Sequence, residues 1–538
     1  MEKSDQNKQG NQNILVVLAM LIGIVVGVMS AHWFEPDRYR LTAQGDNLAE
    51  NMATLVSVIE NTYVDSVSMD SLTVLAYNAL LTSLDPHSAF IPATQYAPRA
   101  EEMRGNFDGV GMALIQKGDT IFAGEVYEGS PAATGGILPG DWIVKVDTVQ
   151  VPGGATLDSV VRLIRGPKHS RVSITVRRWG KQPGGEQELT FSLVRNVIAR
   201  HTVTSAIMLD KQRGFIRIES FSQTTSDEFR DALKKLKGMG MKSLVLDLRG
   251  NEGGLLMEAV AVADELLPKN AMMVYTEGRH ERRREYHATG RGLFTEGDLT
   301  VLIDENSASA SEIVAGAVQD NDRGEIAGRR SFGKGLVQST IQTLDGSMLI
   351  LTTARYYTPS GRCIQRDYRQ GTEDYYAEHM LRLLLDDESV ATKRNAVDSS
   401  QAYLTKNGRT VYGGGGIVPD KILPYLYDTH YVFYNQLVKN RVLSDYAIEY
   451  LHLHYADLIR RYPTVEQFDR QFRVDATMWK ELLARAERKG LEASKVSLAK
   501  SGEEIKTRLK AHLAQHLYGN DAYYRISFRY DTDLKRLM

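Results

Sequence analysis

Between residues 195 and 425 the chain repeats one order: a short apolar run, a turn rich in glycine or serine, then a helix-length stretch. "RGFIRIESF" reads as a strand, and "TTSDEFRDALKKLKGMG" as a helix with a glycine stop. "KSLVLDLRGNEGG" is a buried strand entering a glycine turn, and "LLMEAVAVADELL" is a helix. "LTVLIDENSASAS" is a strand and turn, and "SEIVAGAVQD" is a further helix. Such alternation builds βαβ units on a parallel sheet, with functional residues at the C-terminal strand ends.

At 538 residues the chain is too long for one ordinary domain. Residues 45–100 read as helices, with Leu55, Val58 and Ile59 on one face and Leu75, Leu80 and Leu81 on another. "LDPHS", Leu84 to Ser88, breaks that pattern and reads as part of a small packing or dimerising unit. Residues 426–538 are mostly helical and charged, with Ile505, Leu509, Leu513 and Leu517 forming one apolar stripe. Ile14 to Ala31 are eighteen positions without charge. As a helix they span about 27 Å, against a hydrocarbon core of about 30 Å. The expectation is a transmembrane anchor over 14–31 after a cytoplasmic tail at 1–13, with a cleaved signal peptide as the alternative. The membrane is then a partner, the localisation is single-pass in the cytoplasmic (inner) membrane, and the rest of the chain is periplasmic or otherwise extracytoplasmic.

Residues 105–180 change character. "FDGVGMALI" is a glycine turn and a strand, and "GSPAATGGILPGDWIVKVD" is a short helix, a Gly/Pro turn and a strand. "ATLDSVVRLIRG" is an amphipathic helix, and "RVSITVRRW" alternates as a strand does. This order resembles a PDZ domain, with Gly109, Val110, Gly111 and Met112 where such domains bind a terminal carboxylate. A peptide would add there as a strand. Arg165, just after the groove helix, is a candidate regulatory residue that reports groove occupancy to the core. A β-domain that only spaces its neighbours is the alternative.

Several chemistries are excluded. A formal net charge of −2 gives no reason to expect nucleic acid. The single cysteine, Cys363, cannot form an intrachain disulfide or a cysteine-based zinc site. There is no H-E-x-x-H helix, and His452 and His454, two apart, do not share a helical face. "GRRSFGKG", Gly328 to Gly335, is near a phosphate-binding loop, but Gly335 stands where the hydroxyl belongs. The next residues, "GLVQSTIQTLDGSMLILTTARYY", make a β-hairpin sequence and not the helix a phosphate requires. No G-x-S-x-G elbow is present, and the S-x-x-K match at Ser497 to Lys500 lacks its partner motifs.

"NSASASEIVAG", Asn306 to Gly316, places three serines just before a helix. An N-cap cluster is the plain reading. A nucleophile at a helix N-terminus is the chemical one, since dipole and free N–H groups favour an oxyanion there. Its base would be a lysine whose pKa is lowered by burial.

The chain resembles the carboxyl-terminal processing peptidases, or tail-specific proteases, from about residue 45 to 425. "LDPHS", the PDZ segment, "LDLRGNEGG", "NSASASEIVAGAVQD", "GRRSFGKGLVQ", "TPSGRCIQ" and "GGGIVPD" carry the resemblance. It implies a helical segment, a PDZ β-domain and an α/β serine-protease core over 195–425; with the membrane helix and the C-terminal helical extension, which lie outside the resemblance, the expected fold class is a multidomain mixed α/β protein. It implies Ser309 as nucleophile, Lys334 as general base and Gln338 as the residue that orients the lysine, with Glu312 ranked below Gln338 for that task. Ala310 N–H and either Gly253 or Gly254 would form the oxyanion hole. The reaction implied is peptide hydrolysis through an acyl-enzyme, on protein or peptide substrates with free C-termini, without metal or cofactor. A homo-oligomer is compatible with the same reading. A non-catalytic PDZ adaptor that kept the fold is the competing function.

Overall fold

The computed structural model describes residues 46–179, 186–384, 399–424 and 432–538. It divides into two compact units, Met1–Leu75 and Ala76–Met538. In the first, the described residues form helix Asp46–Thr62 and the start of helix Met69–Thr82. Leu55, Val58 and Leu75, expected on packed faces, are exposed.

The second unit holds the α/β core. Its six-stranded sheet has the order Val203–Met208, Arg213–Ile218, Ser243–Asp247, Asp298–Ile303, Glu325–Gly328 and Lys421–Ile422. The first pair is antiparallel and the other four pairings are parallel. The fully buried runs of Leu, Val and Ile in the central strands are what a parallel sheet covered on both faces requires. Helices Thr225–Gly238, Leu256–Leu266 and Ala310–Asp320 share one apolar core on one face. Phe215, Val245, Leu302 and Ala327 point to the other face, where Leu534, Tyr524 and Phe528 cover them.

A second sheet runs Ala89–Ile91, Met348–Tyr357, Met272–Glu277, Arg284–His287, with Leu336–Gln342 also paired to Met348–Tyr357. The hairpin Leu336–Tyr357 turns at Thr343–Ser347 and sets Gln338 opposite Thr352. Helix Ala310–Asp320 has all eleven residues buried, because both the six-stranded sheet and the second sheet crowd it. That double cover is why its polar side chains, Ser311, Glu312, Gln319 and Asp320, all bond inside the protein.

The PDZ-like sheet has the order Met112–Lys117, Thr120–Val126, Trp142–Val146, Arg171–Trp179 and Glu186–Val194. It extends past residue 180, because Arg171–Trp179 pairs along its full nine residues with Glu186–Val194. Groove helix Leu157–Ile164 buries Val160 and Ile164 against it.

C-terminal helices from Val432–Lys439 to Lys495–Tyr518 close on a core that includes Ile505, Leu509 and Leu513. His452 Nδ1 lies 2.7 Å from Gly140 O in the PDZ-like domain. Asp521 accepts from Ser205 Oγ and Ala206 N–H at the edge of the core sheet, 2.9 Å each.

No helix among the described residues is long and apolar enough to cross a membrane. The longest, Lys495–Tyr518, carries Lys500, Glu503, Glu504, Lys506, Arg508 and Lys510, and charge at that density is excluded from a hydrocarbon core. This corrects the expectation of a membrane helix in the fold, of the membrane as a partner and of single-pass inner-membrane localisation. The segments 1–13 and 14–31 lie outside the described residues.

Candidate active site

Three neighbouring parallel strands end in the three turns that the sequence marks by glycine and serine. Ser243–Asp247 leads into Leu248–Gly254, Asp298–Ile303 into Asp304–Ser309, and Glu325–Gly328 into Arg329–Gly335. Side chains stitch the first two together. Asp304 accepts from Gly250 N–H at 2.9 Å, and Ser307 Oγ donates to Leu248 O at 2.8 Å. Asn251, fully buried, donates through Nδ2 to Ile218 O at 2.9 Å, while its backbone carbonyl accepts from Ala308 N–H and Ser311 Oγ.

Ser309 ends the second turn at the N-terminus of helix Ala310–Asp320, with φ 53° and ψ −110°. That conformation is strained for a residue with a Cβ, and such strain gathers at functional sites. Its N–H donates to Glu312 Oε2 at 2.8 Å. Gly253, at φ 102°, passes so close that a Cβ there would meet Ala308 O at 2.7 Å and Ser309 Cβ at 2.8 Å. The Gly253 N–H is already bonded to Asn251 Oδ1 at 2.8 Å. Of the two glycines, Gly254 is therefore the one whose N–H is left as an oxyanion candidate beside Ala310.

Lys334 lies on the third turn, half-buried, and its Nζ donates to Gln338 Oε1 at 3.0 Å. Burial lowers its pKa from the ordinary lysine value, and the positive charge of Arg99 lowers it further. Among the described residues no carboxylate forms an ion pair with it. Gly333, at φ 90°, leaves no room for a Cβ against Arg366 Cγ at 2.6 Å and Gly416 N at 2.9 Å. The glycine beside the lysine thus packs against Arg366, the residue after "TPSGRCIQ", and against the "GGGIVPD" segment. Gln365 Oε1 accepts Gly335 N–H at 2.8 Å, and Gly333 O accepts Arg366 N–H at 3.0 Å.

Glu312 does not orient the lysine amine. It is fully buried and accepts Ser309 N–H, Ser331 Oγ–H at 2.5 Å, Gly333 N–H at 2.7 Å and Lys334 N–H at 2.9 Å. One carboxylate thereby ties the backbones of the serine and lysine turns. Burial pushes its pKa up to about 7 against the pull of those four donors. Tyr356 makes a second tie, its hydroxyl lying 3.1 Å from Ser309 O and 2.7 Å from Lys334 O. Sequence reading misses Asn251 and Tyr356, since hydrogen bonds to backbone carbonyls across the fold leave no local pattern.

A cleft of about 1230 Å³ is lined by Ser309, Lys334, Gln338, Gly253, Gly254 and Tyr356, and also by Gly109, Val110, Gly111, Met112 and Arg165. Ala310 is fully buried behind Ser309. In the glycine loop the carbonyls turn inward: Val110 O accepts Ala132 N–H, and Gly111 O accepts Tyr127 N–H and Ser130 Oγ–H. Among the described residues, the ion pair and ring contact of Arg165 are with Glu101 and Phe107, outside the 195–425 core. Its Nη1 is 2.5 Å from Glu101 Oε2 and its guanidinium lies over the Phe107 ring. Glu101 sits on helix Ala93–Arg104, whose Met103 O accepts Gln223 N–H from the core at 3.0 Å. No group of three His, Cys, Asp or Glu side chains able to hold a metal occurs among the described residues.

The profile of Peptidase family S41 matches residues 212–377, that of the PDZ domain matches 122–178, and a Family of unknown function (DUF8443) matches 433–519. A carboxy-terminal-processing protease of Bartonella bacilliformis is 35% identical over 336 residues, covering 62% of this chain and 74% of its own. A Staphylococcus aureus protein named probable CtpA-like serine protease is 32% identical over 354 residues, covering 65% and 69%. The solved photosystem II D1 C-terminal processing protease is 30% identical with a TM-score of 0.31, covering 57% of this chain and 88% of its own.

Proposed function

The chain belongs to peptidase family S41 as a serine-type carboxyl-terminal processing peptidase, and on that premise we propose that Ser309 and Lys334 form its catalytic dyad. Ser309 Oγ attacks the scissile carbonyl while Lys334 Nζ takes its proton. The N–H groups of Ala310 and Gly254 receive the oxyanion, and Lys334 then protonates the leaving amine. Water hydrolyses the resulting ester by the same steps, with Lys334 taking the proton of the water and returning it to Ser309 Oγ. Gln338 suits the orienting role because an amide accepts from the amine without adding a charge that would raise its pKa. The single observation that carries this reading is that a half-buried lysine amine, held at 3.0 Å by Gln338 Oε1, shares one cleft with a strained serine at a helix N-terminus.

The same cleft contains the Gly109–Met112 loop. This supports capture of a substrate's free C-terminus by the PDZ domain, with the adjoining chain delivered to Ser309. Arg165 then couples the groove helix to helix Ala93–Arg104 through Glu101. The test is turnover of one quenched peptide as free acid and as C-terminal amide, by wild type and Ser309→Ala. Fast cleavage of the acid, slow cleavage of the amide and none by Ser309→Ala are expected. Equal cleavage of both peptides rejects carboxylate capture, and an active Ser309→Ala rejects the nucleophile.

A further inference from the structure

We propose that the turn Leu84–Ser88 fixes the amide of Gln338, with Asp85 as the positioning residue. The inference rests on the reading of Lys334 as base. Gln338 Nε2 donates to His87 O at 2.5 Å, and its Oε1 accepts from Lys334 Nζ at 3.0 Å. A backbone carbonyl only accepts, so the amide NH₂ must face His87 and the amide oxygen must face the lysine. A flipped amide would set oxygen against oxygen and NH₂ against the amine. With one N–H of Lys334 committed to Oε1, the direction of its lone pair is constrained. The sense of the Gln338 amide therefore originates 251 residues away in sequence.

Asp85 builds that turn. It is buried, its Oδ1 accepts the N–H of His87 and of Ser88 at 2.8 Å each, and its Oδ2 accepts Ser88 Oγ–H at 2.6 Å. Ser88 Oγ in turn accepts Thr352 N–H at 3.1 Å, and Thr352 is the cross-strand partner of Gln338. The turn is thus docked on the strand beside the residue it orients. The His87 ring closes the other side, with Nε2 3.0 Å from Tyr375 Oη and ring contacts to Phe332 and Tyr375. Phe332 lies two residues before the lysine. "LDPHS", read from sequence as part of a packing unit, belongs to the site.

The experiment measures kcat, KM and thermal stability for Asp85→Ala, Asp85→Asn and Ser88→Ala, and for Gln338→Ala with and without Asp85→Ala. Misplacement of a catalytic group by about 1 Å costs roughly 10²-fold in rate. Asp85→Ala is expected to lower kcat about 10–100-fold at unchanged KM. Asp85→Asn keeps one carbonyl oxygen for the two N–H groups and should recover most of that loss. If Asp85→Ala does not fold, Ser88→Ala carries the test, with about a tenfold loss expected. Because Asp85 acts through Gln338, Asp85→Ala should add no further loss to Gln338→Ala. Wild-type kcat in Asp85→Ala or Ser88→Ala, or multiplying losses in the double variant, overturns the inference. Lys334→Arg, assayed alongside, separates the two claims. If it is active, the dyad reading falls; if it is inactive while Asp85→Ala keeps wild-type kcat, only the role of the turn falls.

Discussion

Ser309 and Lys334 line one cleft but are held by opposite means. Ser309 is placed by its backbone: a left-handed φ, the first turn of a helix buried on all sides, and a glycine passing within contact distance. Lys334 is placed by its surroundings, as burial lowers its pKa and a single amide oxygen holds its amine. A nucleophile keeps its chemistry when its rotamer shifts, so geometry is what it needs from the fold. A lysine is useless as a base while charged, so it needs an environment first. Glu312 and Tyr356 join the two by gripping the backbone of both turns.

The contrast breaks hardest at the reactive groups. Ser309→Ala and Lys334→Ala should each lower kcat by about 10⁴-fold or more, and their double variant should be no worse. Gly253→Ala attacks the serine side alone. It forces a Cβ to within 2.8 Å of Ser309 Cβ, and a loss of about 10²–10³-fold in kcat is expected, as when an oxyanion donor is displaced. Gln338 would be untouched, so the pH dependence of the remaining activity should match wild type.

Glu312→Gln tests the tie between the turns. All four partners of that carboxylate are donors, and an amide NH₂ must face at least one of them. The cost is about 1–3 kcal/mol for each donor left unpaired. Denaturant unfolding should show that loss, with activity lowered about 10–100-fold because both turns relax. Leu534→Ala marks the small end for catalysis. Leu534 is buried on the far face of the core sheet with Phe215 and Leu302, so about 2–5 kcal/mol of stability should go while kcat per folded molecule stays near wild type.

These effects also separate what is legible in the sequence from what is not. The alternation around Ser243–Asp247 and Asp298–Ile303 shows in sequence because each of these strands is mainly apolar and ends in its own turn signal. Ser309 is visible as the end of a serine run before a helix. Lys334 and Gln338 follow only from resemblance, since a lysine between glycines says nothing of its burial. The strands Met272–Glu277 and Arg284–His287 are hidden by the charged stretch "GRHERRRE" between and across them. The anchor expected at 14–31 rests on an uncharged apolar run and its flanking residues, and no described helix is long and apolar enough to cross a membrane. Glu312, Tyr356 and Asp85 leave no local pattern because most of their partners are main-chain groups, which any residue type supplies.

The central claim is that Lys334 is the base for Ser309, and the pH dependence of Ser309 acylation by a serine-directed probe tests it most directly. The active form is the neutral amine, whose population rises as pH rises through the lysine pKa. An ordinary lysine titrates near about 10.4, and Lys334 lies below its ordinary value. The acylation rate of wild type should therefore climb through one limb placed below that of a free lysine, and Lys334→Arg should remain slow at every pH, because arginine does not deprotonate. A Lys334→Arg chain acylated at the wild-type rate along the wild-type limb would contradict the account.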